Sequence, residues 1–344
     1  MRNREQTHPL VYVIVLHWKN YEHTQAAIKS ILAGAYQNYR LLIIDNGSHD
    51  GSVEALQQKF PEVRFILNER NLGFARGCNV GIREALGDPN CAYVLLMNND
   101  ATILAESLGA AVAAAEADHD IGIISGKILL ASLPHTIWYA GGRLDFWRGQ
   151  AVTRGFGEMD RGQYDLPCET GFVTGALMLI KKTVLTSIGP LPEEYFFGVE
   201  EWDYSARARQ AGFKLYYVPG FFAYHAADGS HWNYDPKFVY NSYRNKLIFQ
   251  QKYLPRLVFP VWKAAFAVYG KYVARRARQR LIDKKLFPLP RPVDFERLDF
   301  ALARAIEDHG KNTLTEEVLD SFESEMQARF RPDLLRPKTS DATS

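Results

Sequence analysis

Residues 11–67 read VYVIVLHWKNYEHTQAAIKSILAGAYQNYRLLIIDNGSHDGSVEALQQKFPEVRFIL. Three apolar runs stand in this stretch, at 11–16, 41–44 and 63–67, each of strand length and rich in branched residues. Residues 22–33 and 51–60, between them, have helical composition. The rhythm continues with a helix over 74–86 and a fourth apolar run, AYVLLM, at 92–97. Strand and helix in steady alternation predict an α/β fold, a mostly parallel sheet covered by helices on both faces, with right-handed crossovers. Ligands of such sheets bind beyond the carboxyl ends of the strands. Chemistry is therefore expected in the loops that follow Leu16, Ile44, Leu67 and Met97.

Outward from this block, a further helix is predicted over 104–117 and a strand over 121–125, after which the alternation stops. Residues 129–169 are rich in Gly, Trp and Arg without clean periodicity. An apolar run at 176–180, an acidic helix start near Glu200, a strand-like 214–218 and then His225 suggest a second half built around a site. From Pro236 onward the pattern is helical, and residues 288–292 read as a linker. Residues 312–330 predict a helix with a capping box, Thr313 with Glu316, and an apolar face of Val318, Leu319, Phe322, Met326 and Phe330.

Composition narrows the function classes. A formal charge of +2 over 344 residues argues against a dedicated nucleic-acid binder. Three cysteines, Cys78, Cys91 and Cys168, lack metal-type spacing and predict no disulfide framework. No apolar signal core precedes the first strand, and no run reaches the roughly 20 apolar residues of a spanning helix. The expectation is a cytoplasmic protein. One segment departs from the average: residues 256–285 carry nine Lys or Arg and one acid, interleaved with Leu257, Val261, Trp262, Phe266 and Tyr269. Two readings stand, a helical appendage packed on the catalytic part or a surface helix on anionic lipid at the inner face of the plasma membrane. Pro260 is expected to break any single long helix here.

Several short segments carry chemistry-bearing residues. Asn98-Asn99-Asp100 follows the fourth strand directly, where a carboxylate points into the ligand crevice; Asp100 suits a divalent cation on a diphosphate, or else caps the next helix. Glu200-Glu201-Trp202-Asp203 crowds three acids among aromatics, which raises carboxylate pKa values and suits a general base, or else opposes a helix dipole. His225 fits a metal site leaning toward Mn2+ or a hydrogen-bonded core. Asp45 opens a turn-rich loop that either holds a nucleoside or caps a helix. In the segment 68–79, Asn71, Gly73, Arg76 and Gly77 stand where backbone and guanidinium can approach a phosphate. Neither a dinucleotide fingerprint nor a P-loop spacing is present.

Taken in order, VIVLHWKN, IIDNGSHDGS, NLGFARGCNVGI, LLMNND, TGALMLIKK, FFGVEEWDYSARARQAGFKLYYVP and His225 resemble glycosyltransferase family 2, over residues 11–255. The resemblance implies a GT-A fold over 1–255, with a nucleotide-binding half at 10–126 and an acceptor half at 127–255, followed by a helical region at 256–344. It implies an inverting, metal-dependent transfer from a nucleotide-diphosphate sugar. Asp45 and His17 would line the nucleoside pocket. Asn98-Asn99-Asp100 would be the DXD motif, its first position Asn rather than Asp, with Asp100 and His225 holding Mn2+ or Mg2+. Glu201 would be the base, Glu200 its competitor, and Asp203 would organise the site. Trp202 and Gly175 would lie beside the acceptor or donor sugar. The Asn-Asn-Asp form with NLGFARGCNVGI is similar to the branch that includes bacterial rhamnosyltransferases, which implies a dTDP-rhamnose-type donor, with UDP-galactofuranose and UDP-hexoses as alternatives, and a glycan or lipid-linked acceptor in cell-surface polysaccharide synthesis. The 312–330 helix would pack on the core or form a homodimer contact. Two rivals are a catalytically inactive nucleotide-sugar-binding protein and a nucleotidyltransferase; the latter's Gly-rich basic loop is absent from VIVLHWKNYEHT.

Overall fold

The computed structural model describes residues 8–227, 235–283, 294–311 and 313–330. The chain divides into two units, Met1–Asp228 and Gly229–Ser344.

The first unit opens with β1 (Leu10–His17), α1 (Tyr21–Leu32), β2 (Tyr39–Asp45), α2 (Ser52–Lys59), β3 (Arg64–Leu67), α3 (Phe74–Leu86) and β4 (Cys91–Asn98), the alternation read from sequence. It continues with β5 (Ala101–Ile103), α4 (Ser107–Ala117), β6 (Ile121–Leu130), β7 (Leu133–Tyr139), the hairpin β8 (Gly142–Asp145) and β9 (Gln150–Thr153), β10 (Cys168–Glu169), β11 (Leu177–Lys181), α5 (Lys182–Ile188), α6 (Glu200–Gln210) and β12 (Lys214–His225). The main sheet runs β10-β12-β6-β11-β4-β1-β2-β3, with β5 on β12 and β7 on β6. β1, β2, β3 and β4 are mutually parallel. β11 enters antiparallel between β4 and β6, and β12 is parallel to β6. The carboxyl ends of β1, β2, β4, β6 and β12 consequently share one edge.

Alternating side chains divide the core. Val11, Val13 and Val15 face α1 and α2 through Ala27, Ile28 and Leu56. Tyr12 and Ile14 face α3 and α5 through Cys78, Ile82 and Val184. Burial of both faces explains the continuous apolar runs, and each large side chain so buried contributes about 1.5–3 kcal/mol. The order places β4 on the far side of β1 from β2, so the chain reverses direction across β1, the position at which open α/β sheets bind ligands.

Three local expectations change. β12 does not stop at Val218: it passes Pro219-Gly220 as a bulge, with a register shift between Val218 and Phe222, and ends at His225. Gly126 of β6 permits this, since a Cβ there would lie 1.4 Å from the Phe221 carbonyl oxygen. After Asp100 the chain forms β5 rather than a helix, and α4 starts only at Ser107. Asp100 is therefore no helix cap.

The second unit holds α7 (Pro236–Tyr253), α8 (Val258–Asp283), α9 (Phe295–Asp308) and α10 (Glu316–Phe330). α7 thus groups with the C-terminal helices, whereas the sequence reading carried the first domain to residue 255. Pro260 does not break α8: it lies in the first turn, where the missing N–H has no intrahelical partner to lose. The cap of α10 is Thr315, whose hydroxyl accepts from Val318 N at 3.4 Å, rather than Thr313. Residues 288–292 lie outside the described residues. No described helix is long and apolar enough to cross a membrane.

Candidate active site

Backbone strain concentrates at the carboxyl edge. Lys19 and Asn20 (φ 58° each) follow β1, His49 (φ 50°) follows β2, and Ala227 (φ 49°) follows β12. Val199, a branched residue at φ 82°, caps α6. Such conformations cost about 1–3 kcal/mol each and gather where function over-determines the backbone.

The loop after β2 is fastened by its own polar groups. The Asp45 carboxylate accepts from Ser48 Oγ at 2.5 Å and Ser48 N at 3.3 Å. Asn46, buried, donates from Nδ2 to Asn71 Oδ1 at 2.8 Å, while its Oδ1 accepts from Leu72 N at 3.1 Å. Asn71 Oδ1 also accepts from Gly73 N at 2.9 Å. Asn71 therefore ties two loops together. Gly73 (φ +79°) permits close approach to protein rather than phosphate: a Cβ would lie 2.3 Å from the Phe196 carbonyl oxygen, which accepts from Phe74 N at 2.7 Å. A Cβ on Gly77 would likewise meet Leu16, at 2.6 Å. Arg76 pairs with Glu193 at a long 3.8 Å, and its Nε has no hydrogen-bond partner, so donor capacity remains.

His17 is fully buried, with Nδ1 2.7 Å from Thr24 Oγ1 and Nε2 2.8 Å from Ser52 Oγ. Burial lowers its pKa, against the pull of Asp45 and Asp50. Both ring nitrogens are taken, so the ring braces α1 and α2 beneath the loops and offers no group to a nucleoside. Thr24 Oγ1 also accepts from Asn99 Nδ2 at 3.1 Å, joining this brace to the end of β4.

β4 and β12 bring Asp100 and His225 together, with Asp100 Oδ1 3.0 Å from His225 Nε2. Burial works to raise the Asp100 carboxyl, but the charge and hydrogen bond of His225 outweigh it and hold the group below the usual carboxylate range. Asn98 Nδ2 lies 3.3 Å from the same His225 Nε2. That nitrogen cannot serve both: protonated it donates to Asp100, unprotonated it accepts from Asn98. Neighbouring ligands of an octahedral cation at about 2.1 Å stand roughly 3.0 Å apart, so one carboxylate oxygen and one imidazole nitrogen suit a divalent cation. No cluster of three or more His, Cys, Asp or Glu exists among the described residues, and cations of this kind draw their remaining ligands from phosphate and water. Trp138, which sequence reading passed over, packs edge-on against His225 at 4.6 Å.

α6 carries the acids in its first turn. Glu200 is 3% exposed, and its Oε2 lacks a hydrogen-bond partner. Its pKa is raised well above the ordinary value by burial and by Glu201. Glu201 is less buried, and burial pushes its pKa up to about 7, against hydrogen bonds from backbone N–H groups and the Trp202 side chain. Asp203 is fully buried and accepts from Tyr195 Oη at 2.8 Å, so it anchors the loop before α6 rather than facing solvent. Gly175 passes this turn: a Cβ on it would lie 3.9 Å from the Glu201 Cβ. The next residue, Ala176, accepts at its carbonyl from Asn98 N at 3.1 Å. The segment 175–176 thereby bridges the acid pair and the Asn-Asn-Asp turn. A separate cavity of about 450 Å³, lined by Tyr12, Tyr39, Arg40 and Glu62, lies toward the amino ends of the strands. It lies at the opposite ends of the strands from these groups, and strand topology favours the carboxyl edge as the site.

The family model for Glycosyl transferase family 2 matches residues 12–189, more than half of the chain. The chain belongs to glycosyltransferase family 2. N-acetylglucosaminyl-diphospho-decaprenol L-rhamnosyltransferase of Mycobacterium tuberculosis is 24% identical over 215 residues, 57% of this chain and 69% of that protein. Cholesterol galactosyltransferase of Borreliella burgdorferi is 27% identical over 111 residues, 32% of this chain and 30% of that protein. Among solved structures, GalNAc-T7 with UDP, GalNAc and Mn2+ superposes at TM-score 0.58 and 15% identity, over 95% of this chain, which spans 59% of that one. A mannosyltransferase from Pyrobaculum calidifontis in complex with GDP-Man and Mn2+ superposes at TM-score 0.51 and 17% identity, covering 95% of this chain and 82% of that one. The fold of this glycosyltransferase is GT-A, a mixed sheet with flanking helices and a helical C-terminal region.

Proposed function

We propose that this glycosyltransferase moves a sugar, with inversion, from a nucleotide-diphosphate donor to a hydroxyl of a glycan or lipid-linked acceptor. The observation that carries the reading is the convergence on one sheet edge of the Asp100–His225 pair, 3.0 Å apart, and an acid pair whose carboxyl pKa values burial raises, that of Glu201 to about 7. When bound, a divalent cation (Mn2+ or Mg2+) held by Asp100 and His225 would supply positive charge for the departing diphosphate.

The protein's own groups do the rest. Glu201, the more accessible acid, accepts the acceptor's hydroxyl proton as that oxygen bonds to the anomeric carbon and the bond from carbon to diphosphate oxygen breaks. A base with pKa near 7 is matched to this task at neutral pH. Burial is what keeps Glu201's pKa high, and the charge Glu201 takes on when it releases its proton disfavours ionisation of the buried Glu200 beside it. Tyr195 and Asp203 fix the turn that presents Glu201. Trp202 and Gly175 border the place where the acceptor meets the donor sugar. In this reading Asp45, Asn99 and Arg76 would meet nucleoside and diphosphate, whereas His17, Asn71 and Gly73 shape the loops beneath.

The donor we favour is a dTDP-linked deoxyhexose of the rhamnose type. The Mycobacterium tuberculosis relative, whose name is that of an L-rhamnosyltransferase acting on a decaprenol-linked sugar, supports this, while the galactosyltransferase relative keeps UDP-linked sugars as the second choice. A role in cell-surface polysaccharide synthesis at the cytoplasmic face follows from such substrates. The test is turnover of dTDP-rhamnose and UDP-hexoses with prenyl-diphosphate-linked sugars, followed by proton NMR of the fresh glycosidic bond. Inverted anomeric configuration is expected; retention would rule out the single-displacement role of Glu201.

A further inference from the structure

In the second unit, α8 has two apolar sides, and among the described residues only one is covered. Trp262 stacks on Phe266 at 4.9 Å, Phe266 stacks on Tyr243 of α7 at 5.6 Å, and Phe259 packs on His309 at 5.6 Å. These contacts define the packed side. The other side carries Val261 (70% exposed), Val268 (72%) and Tyr272 (61%), with the small residue Ala265 also exposed, and Leu257 (89%) stands in the turn just before the helix. Spacings of 4, 3 and 4 residues from Val261 through Ala265 and Val268 to Tyr272 align the helical ones in one stripe. A helix contributing to a protein core needs one such stripe, and α8 already has it in contact with its neighbours.

The same outward stripe turns cationic one turn further on, at Arg276, with exposed Lys271 at its margin, while Arg275 is engaged by Asp299 of α9. Arg276 Nη1 donates to Tyr272 Oη at 2.8 Å, so cation and aromatic lie on one surface. In sequence, residues 256–285 hold nine Lys or Arg and one acid, Asp283. A second copy of the same stripe is a poor occupant, because a two-fold contact would bring like charges together. Nor does α8 meet the length and apolarity of a spanning helix.

We propose that α8 lies flat on an anionic bilayer, its apolar stripe in the acyl boundary and its cations on lipid phosphates. The contact would hold the enzyme where membrane-embedded acceptors are presented, but binding to lipid does not depend on catalysis, so it is tested separately from the proposed reaction.

The experiment is flotation of the full chain with phosphatidylcholine vesicles and with vesicles containing 30% phosphatidylglycerol, at about 0.05 M and 0.5 M salt, across which the Debye length shortens about threefold. The expected result is flotation with the anionic vesicles only, weakened at high salt. The V261D/V268D variant should lose at least tenfold in lipid binding, and the K271E/R276E variant should lose its salt-sensitive part. Circular dichroism and nucleotide binding should stay unchanged in both, which separates loss of contact from loss of fold. Absence of flotation with anionic vesicles, or undiminished flotation of V261D/V268D, would overturn the proposal. So would a concentration-dependent dimer abolished by V261D/V268D, which would assign the stripe to a second copy.

Discussion

At the scale of single residues, Glu201 and Glu200 are neighbours with different fates. Glu201 is partly exposed beside Gly175, whereas Glu200 is buried with an oxygen unpaired. Glu201→Gln should lower kcat by about a hundred-fold to ten-thousand-fold while leaving nucleotide binding intact, as read by calorimetry on the same sample. Because burial raises the Glu201 pKa to about 7, kcat should climb through that region with rising pH and level off above it. Glu200 makes a stability prediction of definite sign. Its folded pKa lies above the ordinary 4.5, so the folded state binds the extra proton. Its contribution to stability is fully present below about 4.5 and is lost as pH rises through the folded value. Glu200→Gln should therefore gain Tm relative to the parent as pH goes from 4.5 to 8; a gap that does not widen would contradict the buried, protonated state. The acids and Asp100 were legible in sequence because carboxylates at strand ends and helix starts stand out. His17 was not: a buried ring with both nitrogens occupied looks, in one dimension, like any polar residue after a strand.

At the scale of elements, the loop before α6 is held from both sides. Tyr195 bonds Asp203 within α6, and Phe196 meets the glycine that starts α3. Gly73→Ala needs a Cβ 2.3 Å from a carbonyl oxygen at a φ of +79°. It should cost about 1–3 kcal/mol in denaturant unfolding and reduce kcat by displacing the acid pair. Tyr195→Phe removes one buried hydrogen bond, about 1–3 kcal/mol when a partner is left unsatisfied, and should lower kcat more than nucleotide affinity. The strands 11–16, 41–44 and 92–97 were readable because burial on both faces makes them uniformly apolar. The path of β12 was not, since Pro219-Gly220 ends most strands and here forms a bulge accommodated only because residue 126 is glycine. The antiparallel entry of β11 is likewise invisible in composition: LMLIK has the same pattern in either direction.

At the scale of the whole molecule, one parallel block supplies β1, β2 and β4, and strands from the second half of the first unit close the sheet beside it. That arrangement brings His225, 125 residues beyond Asp100 in sequence, to hydrogen-bonding distance. Pairings of this separation are set by sheet order, which residue patterns suggest only through family resemblance. The division after Asp228 depends on the same fact: α7 has helical periodicity either way, and only its packing on α9 decides where it belongs. In the proposed function, this edge binds a nucleotide diphosphate through a cation held by Asp100 and His225. The most direct measurement is isothermal calorimetry of the intact chain with dTDP, UDP and GDP in Mn2+, in EDTA, and with Asp100→Ala. Saturable binding of one nucleotide class is expected in Mn2+, weakened at least tenfold by EDTA and by Asp100→Ala alike. Equal affinity with and without the cation, or no binding of any nucleotide by folded protein, would contradict it.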